Sequence, residues 1–284
     1  MNHLRNRRSS PTLSSCWPNL QAVVRLRDAL KSEDHGTVKD LLAKHPNLAQ
    51  GQSDRQNVLS SDVLNALDAA LPMKINWDTF YTDGVRTPPF FQNKPDANLV
   101  RYFESGKLIP GKALDLGCGM GRNAIYMTQQ GCEVDGIDLS RAAISVATER
   151  AGESGHRIRF DAQNFLFADM PSGTYDIVYD SGLLHHLQPH RRSDYLAKVH
   201  SVLKPKGRFA LLCFSDSEAP SADDQDIYQT AKMPPGIGYS KSRILEVVEP
   251  TFRVDEIIRT DTEPEESESL SLTGLWAILA RPRS

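Results

Sequence analysis

The chain reads as an α/β protein built on a doubly wound, mostly parallel sheet, and three observations carry that reading. The first is the run from Ala113 to Asn123, an apolar strand that ends in alternating glycines, Gly117, Gly119 and Gly121. Glycines there permit backbone dihedrals that a Cβ forbids, and the helix that follows offers unpaired N–H groups to a ligand. The second is Val134 to Ser140, an alternating strand that ends on an acid, Asp138, with Ser140 suited to cap the next helix. The third is the alternation of strand-like and helix-like segments up to Phe214, followed by two strands with no helix between them. Alternation implies parallel strands, and the closing pair implies an antiparallel edge.

Taken in order, the first 27 residues hold Arg5, Arg7, Arg8, Arg25 and Arg27, several serines and no acid. That composition suits either an organelle transit peptide or a basic tail, and the clustering of the arginines favours a disordered tail over residues 1–18. Asn19 can cap a helix from Leu20 to Leu30, and His35-Gly36-Thr37 opens a second from Val38 to Pro46. The pair resembles a single ankyrin-type helical unit, which cannot bury its own face and so needs the rest of the chain, a second copy or another protein. Gly51 to Asn57 reads as a linker, and Ser60-Ser61-Asp62 caps a third helix through Leu71. The expected organisation is a tail over 1–18, a helical appendage over 19–72 and one large domain over 73–284.

The domain opens on an aromatic segment containing Trp77, Phe80, Tyr81, Phe90 and Phe91. It suits a lid over a ligand or a strap that closes the core. Beyond the second strand the pattern predicts strands over Arg157 to Asp161 and Tyr175 to Asp180, a helix over Arg192 to Leu203 and a strand over Arg208 to Phe214. A variable loop from Ser215 to Gly238 then leads to a helix and to strands over Phe252 to Arg259 and Leu272 to Arg281.

Composition narrows the partners. The 284 residues carry a formal net charge of −3, with no basic stripe of the kind nucleic-acid binding requires. No apolar run approaches the roughly 20 residues of a membrane span. Cys16, Cys118, Cys132 and Cys213 lack metal-ligand spacing and read as reduced thiols, which suits a cytoplasmic protein.

The glycine turn, Asp115 two residues before it and Asp138 at the next strand tip together resemble the class I S-adenosylmethionine-dependent methyltransferases, over roughly Trp77 to Arg281. Dehydrogenases share the strand, turn and distal acid, but their glycines are spaced G-x-G-x-x-G, whereas here the third glycine follows one intervening residue. The resemblance implies a seven-stranded Rossmann-like methyltransferase sheet and S-adenosylmethionine as cofactor. It places Asp115 near the cofactor's ammonium, and Gly117, Cys118, Gly119, Gly121, Arg122 and Asn123 around its methionine end. Asp138 and Leu139 would meet the ribose, Asn164 the adenine amine and Phe165 the adenine ring, with Asp180 also lining the cofactor.

The segment from Tyr179 to Arg192 resembles the corresponding region of thiol, thiopurine and heterocycle methyltransferases. Asp180 and His185 are the side chains expected to orient or deprotonate an acceptor, with Trp77, Tyr81, Phe90, Phe91 and His186 forming its pocket. The alternative is that an acidic acceptor needs no base and that positioning alone suffices. His185, His186 and His190 lack a carboxylate or cysteine at ligand spacing, so no metal is expected. Thr87-Pro88-Pro89-Phe90 resembles the Asn/Asp-Pro-Pro-aromatic motif of nucleic-acid amino methyltransferases, but Thr87 lacks the amide or carboxylate that the motif needs. The expected activity is methyl transfer to a sulfur, nitrogen or oxygen of a small thiol or aromatic heterocycle. The alternative is a non-catalytic protein that binds the cofactor or recruits a partner through its helical pair.

Overall fold

A computed structural model describes residues 64–65, 67–68, 71, 75–84, 87–230, 232–260 and 268–283. The expected basic tail, the ankyrin-like pair and Cys16 lie outside these residues. The chain divides into two compact units, Met1–Pro72 with Asp224–Lys232, and Met73–Asp223 with Met233–Ser284.

The elements in chain order are α1 (Trp77–Thr82), a 3₁₀ turn (Pro89–Phe91), α2 (Ala97–Glu104), β1 (Lys112–Leu116), α3 (Arg122–Gln129), β2 (Glu133–Asp138), α4 (Arg141–Glu153), β3 (Arg159–Ala162) and β4 (Tyr175–Ser181). Two 3₁₀ turns (Leu184–His186, Pro189–Arg191), α5 (Arg192–Val202), β5 (Leu203–Phe214), α6 (Asp224–Thr230), α7 (Lys241–Val248), β6 (Phe252–Arg259) and β7 (Leu275–Pro282) follow. In the smaller unit Leu64, Leu67 and Leu71 are buried at helical spacing, as is Ile227 of α6.

The larger unit is organised by a seven-stranded sheet in the order β3-β2-β1-β4-β5-β7-β6. Neighbours from β3 through β5 pair parallel, and β7 runs antiparallel between β5 and β6. β1 and β4 are buried along nearly their whole length, as strands covered on both faces should be. Leu99, Tyr102 and Leu108 from around α2 join Ala113, Val134, Ile177 and Tyr179 in one core cluster. This packing fixes the carboxyl ends of β1, β2 and β4 side by side, where open α/β sheets hold their ligands.

Ser140 caps α4 as its sequence position predicts, its Oγ accepting from Ala143 N at 3.1 Å. Three segments differ from the sequence expectation. β5 starts at Leu203 rather than Arg208, because the sheet absorbs Lys204 to Gly207 as a bulge: the pairing steps from Tyr175 with Leu203 to Ile177 with Arg208. A helix, α6, lies inside the stretch read as a variable loop, and α2 occupies a stretch for which no element was expected.

Candidate active site

The site is built where β1, β2 and β4 end. Gly119 adopts φ +53°, and a Cβ placed on it would lie 2.7 Å from the Tyr81 hydroxyl, so only glycine fits under that side chain. The turn is joined to the tip of β2. Gly119 N donates to Asp138 Oδ2 at 2.9 Å, Ser140 N donates to Asp138 Oδ1 at 2.8 Å, and Cys118 N donates to the Ile137 carbonyl at 3.0 Å. Burial raises the Asp138 carboxyl above its usual range, while the N–H groups of Ser140, Gly119 and Leu139 act in the opposite direction. With one donor on each oxygen, lone pairs remain for further donors.

Asp115 is buried within β1, and its Oδ2 has no hydrogen-bond partner among the described residues. Loss of hydration pushes its carboxyl up to about 8; Arg122 opposes this, and Asp96, Asp138 and Asp180 add to it. An orphaned buried carboxylate oxygen beside a glycine turn suits an ammonium. Asp138 retains acceptor capacity suited to hydroxyls. These residues therefore fit the amino-acid and ribose parts of S-adenosylmethionine.

Arg122 and Asn123 are placed differently from expectation. Both are buried and turn to Asp96, at the start of α2. Arg122 NH1 bonds Asp96 Oδ1 at 2.5 Å, while Asp96 Oδ2 accepts from Asn123 Nδ2 at 2.9 Å, Tyr179 OH at 2.8 Å and Ser181 Oγ at 2.6 Å. Asp96 N in turn donates to Asn123 Oδ1 at 3.0 Å. The pair thus anchors the entry to α2 on the end of β4 rather than presenting itself to a ligand. Asp96 carried no distinguishing signal in the sequence, because its partners are 26 to 85 positions away.

The adenine residues are corrected in part. Asn164 Oδ1 closes a local turn by accepting from Leu166 N at 3.0 Å, leaving its second lone pair for an amine. Phe165 is 3% exposed and packs edge-on against Tyr195 at 5.7 Å with Lys198 over its ring, so it belongs to the core. The apolar side chain left open beside Asp138 is Leu139, 43% exposed.

Asp180 and His185, expected to act on the acceptor, are both occupied. Asp180 is fully buried; Oδ1 accepts from Leu183 N at 2.6 Å, and Oδ2 from Leu184 N at 3.1 Å and Tyr195 OH at 2.5 Å. Burial pushes this carboxyl up to about 6 against those donors. It holds the 3₁₀ turn after β4 in place. His185 Nδ1 accepts from Phe214 N at 3.2 Å, and its ring stacks on Phe214 with centroids 3.8 Å apart. Accepting at Nδ1 puts the proton of the neutral ring on Nε2, so His185 has no free basic lone pair. Burial keeps it neutral.

His186, expected only in the pocket wall, is the imidazole that turns to the aromatic helix. Its ring lies 4.8 Å from Trp77 and 4.3 Å from His185, and its Nδ1 is bonded to the Pro235 carbonyl. Trp77, Phe80 and Tyr81 share a face of α1 at i, i+3 and i+4. Phe80 stacks on Phe90 at 6.2 Å and Tyr81 on Phe91 at 5.4 Å. Asp78 ties the helix to the start of α4, its Oδ1 accepting from Ser140 Oγ at 2.7 Å and Ala142 N at 3.2 Å. Among the described residues no cluster of His, Cys, Asp or Glu could hold a metal ion, and no helix is long and apolar enough to cross a membrane.

This sheet order, with a glycine turn after β1 and an acid ending β2, defines the class I S-adenosylmethionine-dependent fold. Residues 113–207 match the family model described as a methyltransferase domain. An uncharacterised methyltransferase of Schizosaccharomyces pombe is 31% identical over 120 residues, 42% of this chain and 80% of the relative. Thiocyanate methyltransferase 1 of Brassica oleracea is 24% identical over 165 residues, 58% of this chain and 72% of that protein. Matches to other curated relatives span 25 to 62% of their length. A solved structure reported for the conversion of a disulfide bond into a thioacetal group during echinomycin biosynthesis superposes with a TM-score of 0.58 and 26% identity, covering 72% of this chain and 90% of that one. The chain belongs to the S-adenosylmethionine-dependent methyltransferases.

Proposed function

We propose that the protein moves a methyl group from S-adenosylmethionine to a sulfur, nitrogen or oxygen atom of a small acceptor, a thiol or an aromatic heterocycle. The observation that carries this reading is the pair of buried carboxylates flanking the glycine turn, Asp115 with an orphaned oxygen and Asp138 with spare lone pairs, under a helix lined with aromatic rings. When bound, the cofactor supplies an electrophilic methyl group on a sulfonium centre.

In this reading Asp115 receives the ammonium, Gly117, Cys118, Gly119 and Gly121 shape the methionine end, Asp138 receives the ribose hydroxyls and Asn164 the adenine amine. Leu139 covers the exposed edge. Trp77 and Tyr81 offer π faces, which stabilise an adjacent cation by roughly 0.5 to 2 kcal/mol, and with Phe90 and Phe91 they exclude water from the acceptor. Asp180 and His185 act at one remove by holding the turn that carries His186. The net charge of −3 supports a small-molecule acceptor rather than nucleic acid, and the free buried thiols Cys118, Cys132 and Cys213 support the cytoplasm as its compartment. The segment over residues 19–72, for which the sequence alone suggests a helical pair, is proposed as a site of self-association or partner binding.

An acceptor screen with thiols, hydroxyquinolones and purines, reading out S-adenosylhomocysteine, tests the proposal. Acceptor-dependent product is expected in at least one of these classes. Cofactor binding with no turnover on any of them would turn the reading toward a binding protein.

A further inference from the structure

The two adjacent imidazoles after β4 are held in opposite tautomers by backbone groups from different segments. Phe214 N–H donates to His185 Nδ1, which leaves the proton of that neutral ring on Nε2. The Pro235 carbonyl can only accept, so His186 Nδ1 must carry the hydrogen and Nε2 keeps a bare lone pair. Nε2 makes no hydrogen bond to the described residues, whereas Nδ1 is committed. Burial lowers the basicity of the ring, which keeps it unprotonated near neutral pH.

His186 also lies beside the aromatic helix. It comes five residues after the end of β4 and abuts Trp77, whose helix brings the Tyr81 hydroxyl over Gly119. Arg122, a cation at the glycine turn that could have balanced an anionic acceptor, is neutralised by Asp96. The surroundings of His186 are two neutral rings, Trp77 and His185, with Phe214 behind. The side chains in ring contact with His186 thus include no cation to balance an anionic acceptor, and such a setting favours one that arrives uncharged and brings a hydrogen to donate.

We propose that His186 Nε2 receives the hydrogen bond and then the proton of the acceptor, and that the preferred acceptor is a neutral aromatic compound with that proton on the atom to be methylated, such as a hydroxylated heterocycle or a ring N–H. This rests on the methyltransferase reading above. In the transfer the acceptor heteroatom forms a bond to the methyl carbon, and the sulfur retains the electron pair of the carbon–sulfur bond that breaks. The heteroatom's proton passes to His186 Nε2, and the imidazolium later yields it to water. The Pro235 carbonyl steadies the positive ring by accepting from its Nδ1–H, as a partner to the second nitrogen does for other working histidines.

The test uses the full chain. Nitrogen-15 spectra of the cofactor-free protein should show His186 protonated at Nδ1 and His185 at Nε2; a hydrogen on His186 Nε2 would overturn the proposal. In His186→Asn the amide nitrogen can still donate to Pro235, but nothing replaces the Nε2 lone pair. With 1-hydroxyquinolin-4-one as the probe, kcat should fall about a hundredfold or more, while S-adenosylhomocysteine affinity stays within about twofold. With an aryl thiol already ionised in the assay, the loss of kcat in His186→Asn should be at least about tenfold smaller than on the hydroxyquinolone. Unchanged kcat on the hydroxyquinolone, or an equal loss on the thiolate, contradicts a proton-accepting role. If the wild type turns over neither probe, the tautomer measurement decides. Failure of the wild type to bind S-adenosylhomocysteine would sink the methyltransferase reading instead, which separates the two.

Discussion

Asp115 and Asp138 are buried carboxylates at neighbouring strand tips, yet their environments ask different things of them. Asp138 is already stabilised by backbone N–H groups, so it can take hydroxyl donors as a carboxylate. Replacing it with alanine should weaken S-adenosylhomocysteine binding by about 1 to 3 kcal/mol, the cost of losing charge-assisted hydrogen bonds, and calorimetry showing unchanged affinity would remove the ribose assignment. Asp115 has an orphaned oxygen and a carboxyl pushed up to about 8, so at neutral pH the empty site holds it protonated. An ammonium favours the carboxylate, and binding should therefore release a proton. Since the proton must leave first, affinity should rise between about pH 6 and 7.5, below the range in which the ligand's own amine titrates. Binding enthalpies measured in buffers of different ionisation heat should reveal that proton. Asp115→Asn should abolish both its release and the slope, and a slope retained in this variant would place the titrating group elsewhere.

At the scale of elements, what the sequence disclosed depended on how local the physics was. The glycine turn and the tip of β2 were legible because a positive φ, a cap and a strand-ending acid are set by a few adjacent residues. The roles of Asp180 and His185 were not, because they are decided by Tyr195 OH and Phe214 N, donors that only the folded chain brings near. The same reason hid Asp96, whose carboxylate gathers Arg122, Asn123, Tyr179 and Ser181 at the entry to α2. Asp96→Ala leaves the Arg122 guanidinium buried without its counter-charge, and removing one partner of such a pair costs about 3 to 5 kcal/mol. Urea denaturation should show that loss, and a change under about 1 kcal/mol would mean that water replaces the carboxylate freely. The aromatic helix α1 is tied to the start of α4 through Asp78, by way of Ser140 Oγ and Ala142 N. Asp78→Ala should raise the acceptor KM and speed cofactor release in stopped-flow measurements, without lowering the melting temperature appreciably. Unaltered release would make the helix a strap for the core.

For the whole molecule, the chain joins a unit built on the seven-stranded sheet to a smaller unit that gathers Met1–Pro72 and Asp224–Lys232. The parallel pairing of β1 to β5 followed from alternation, because parallel strands need crossover helices; the order of the strands and the bulge at Lys204 to Gly207 did not, since they depend on how strands distant in the chain pair. A chain beginning near Met73 should keep the site while depriving α6 of the segment it groups with, so it should bind S-adenosylhomocysteine with reduced stability. One beginning near Pro95 should also lose acceptor turnover, because Trp77, Tyr81, Phe90 and Phe91 go with it. Full turnover in both would leave the aromatic segment without a role in the pocket. The most direct measurement on the central claim is the melting temperature of the intact protein with S-adenosylhomocysteine and, separately, with NAD. A ligand that binds only the folded state must raise it, so S-adenosylhomocysteine should give a concentration-dependent rise and NAD none. A rise with NAD and none with S-adenosylhomocysteine would contradict the assignment of the glycine turn, Asp115 and Asp138 to a methyl-donor site.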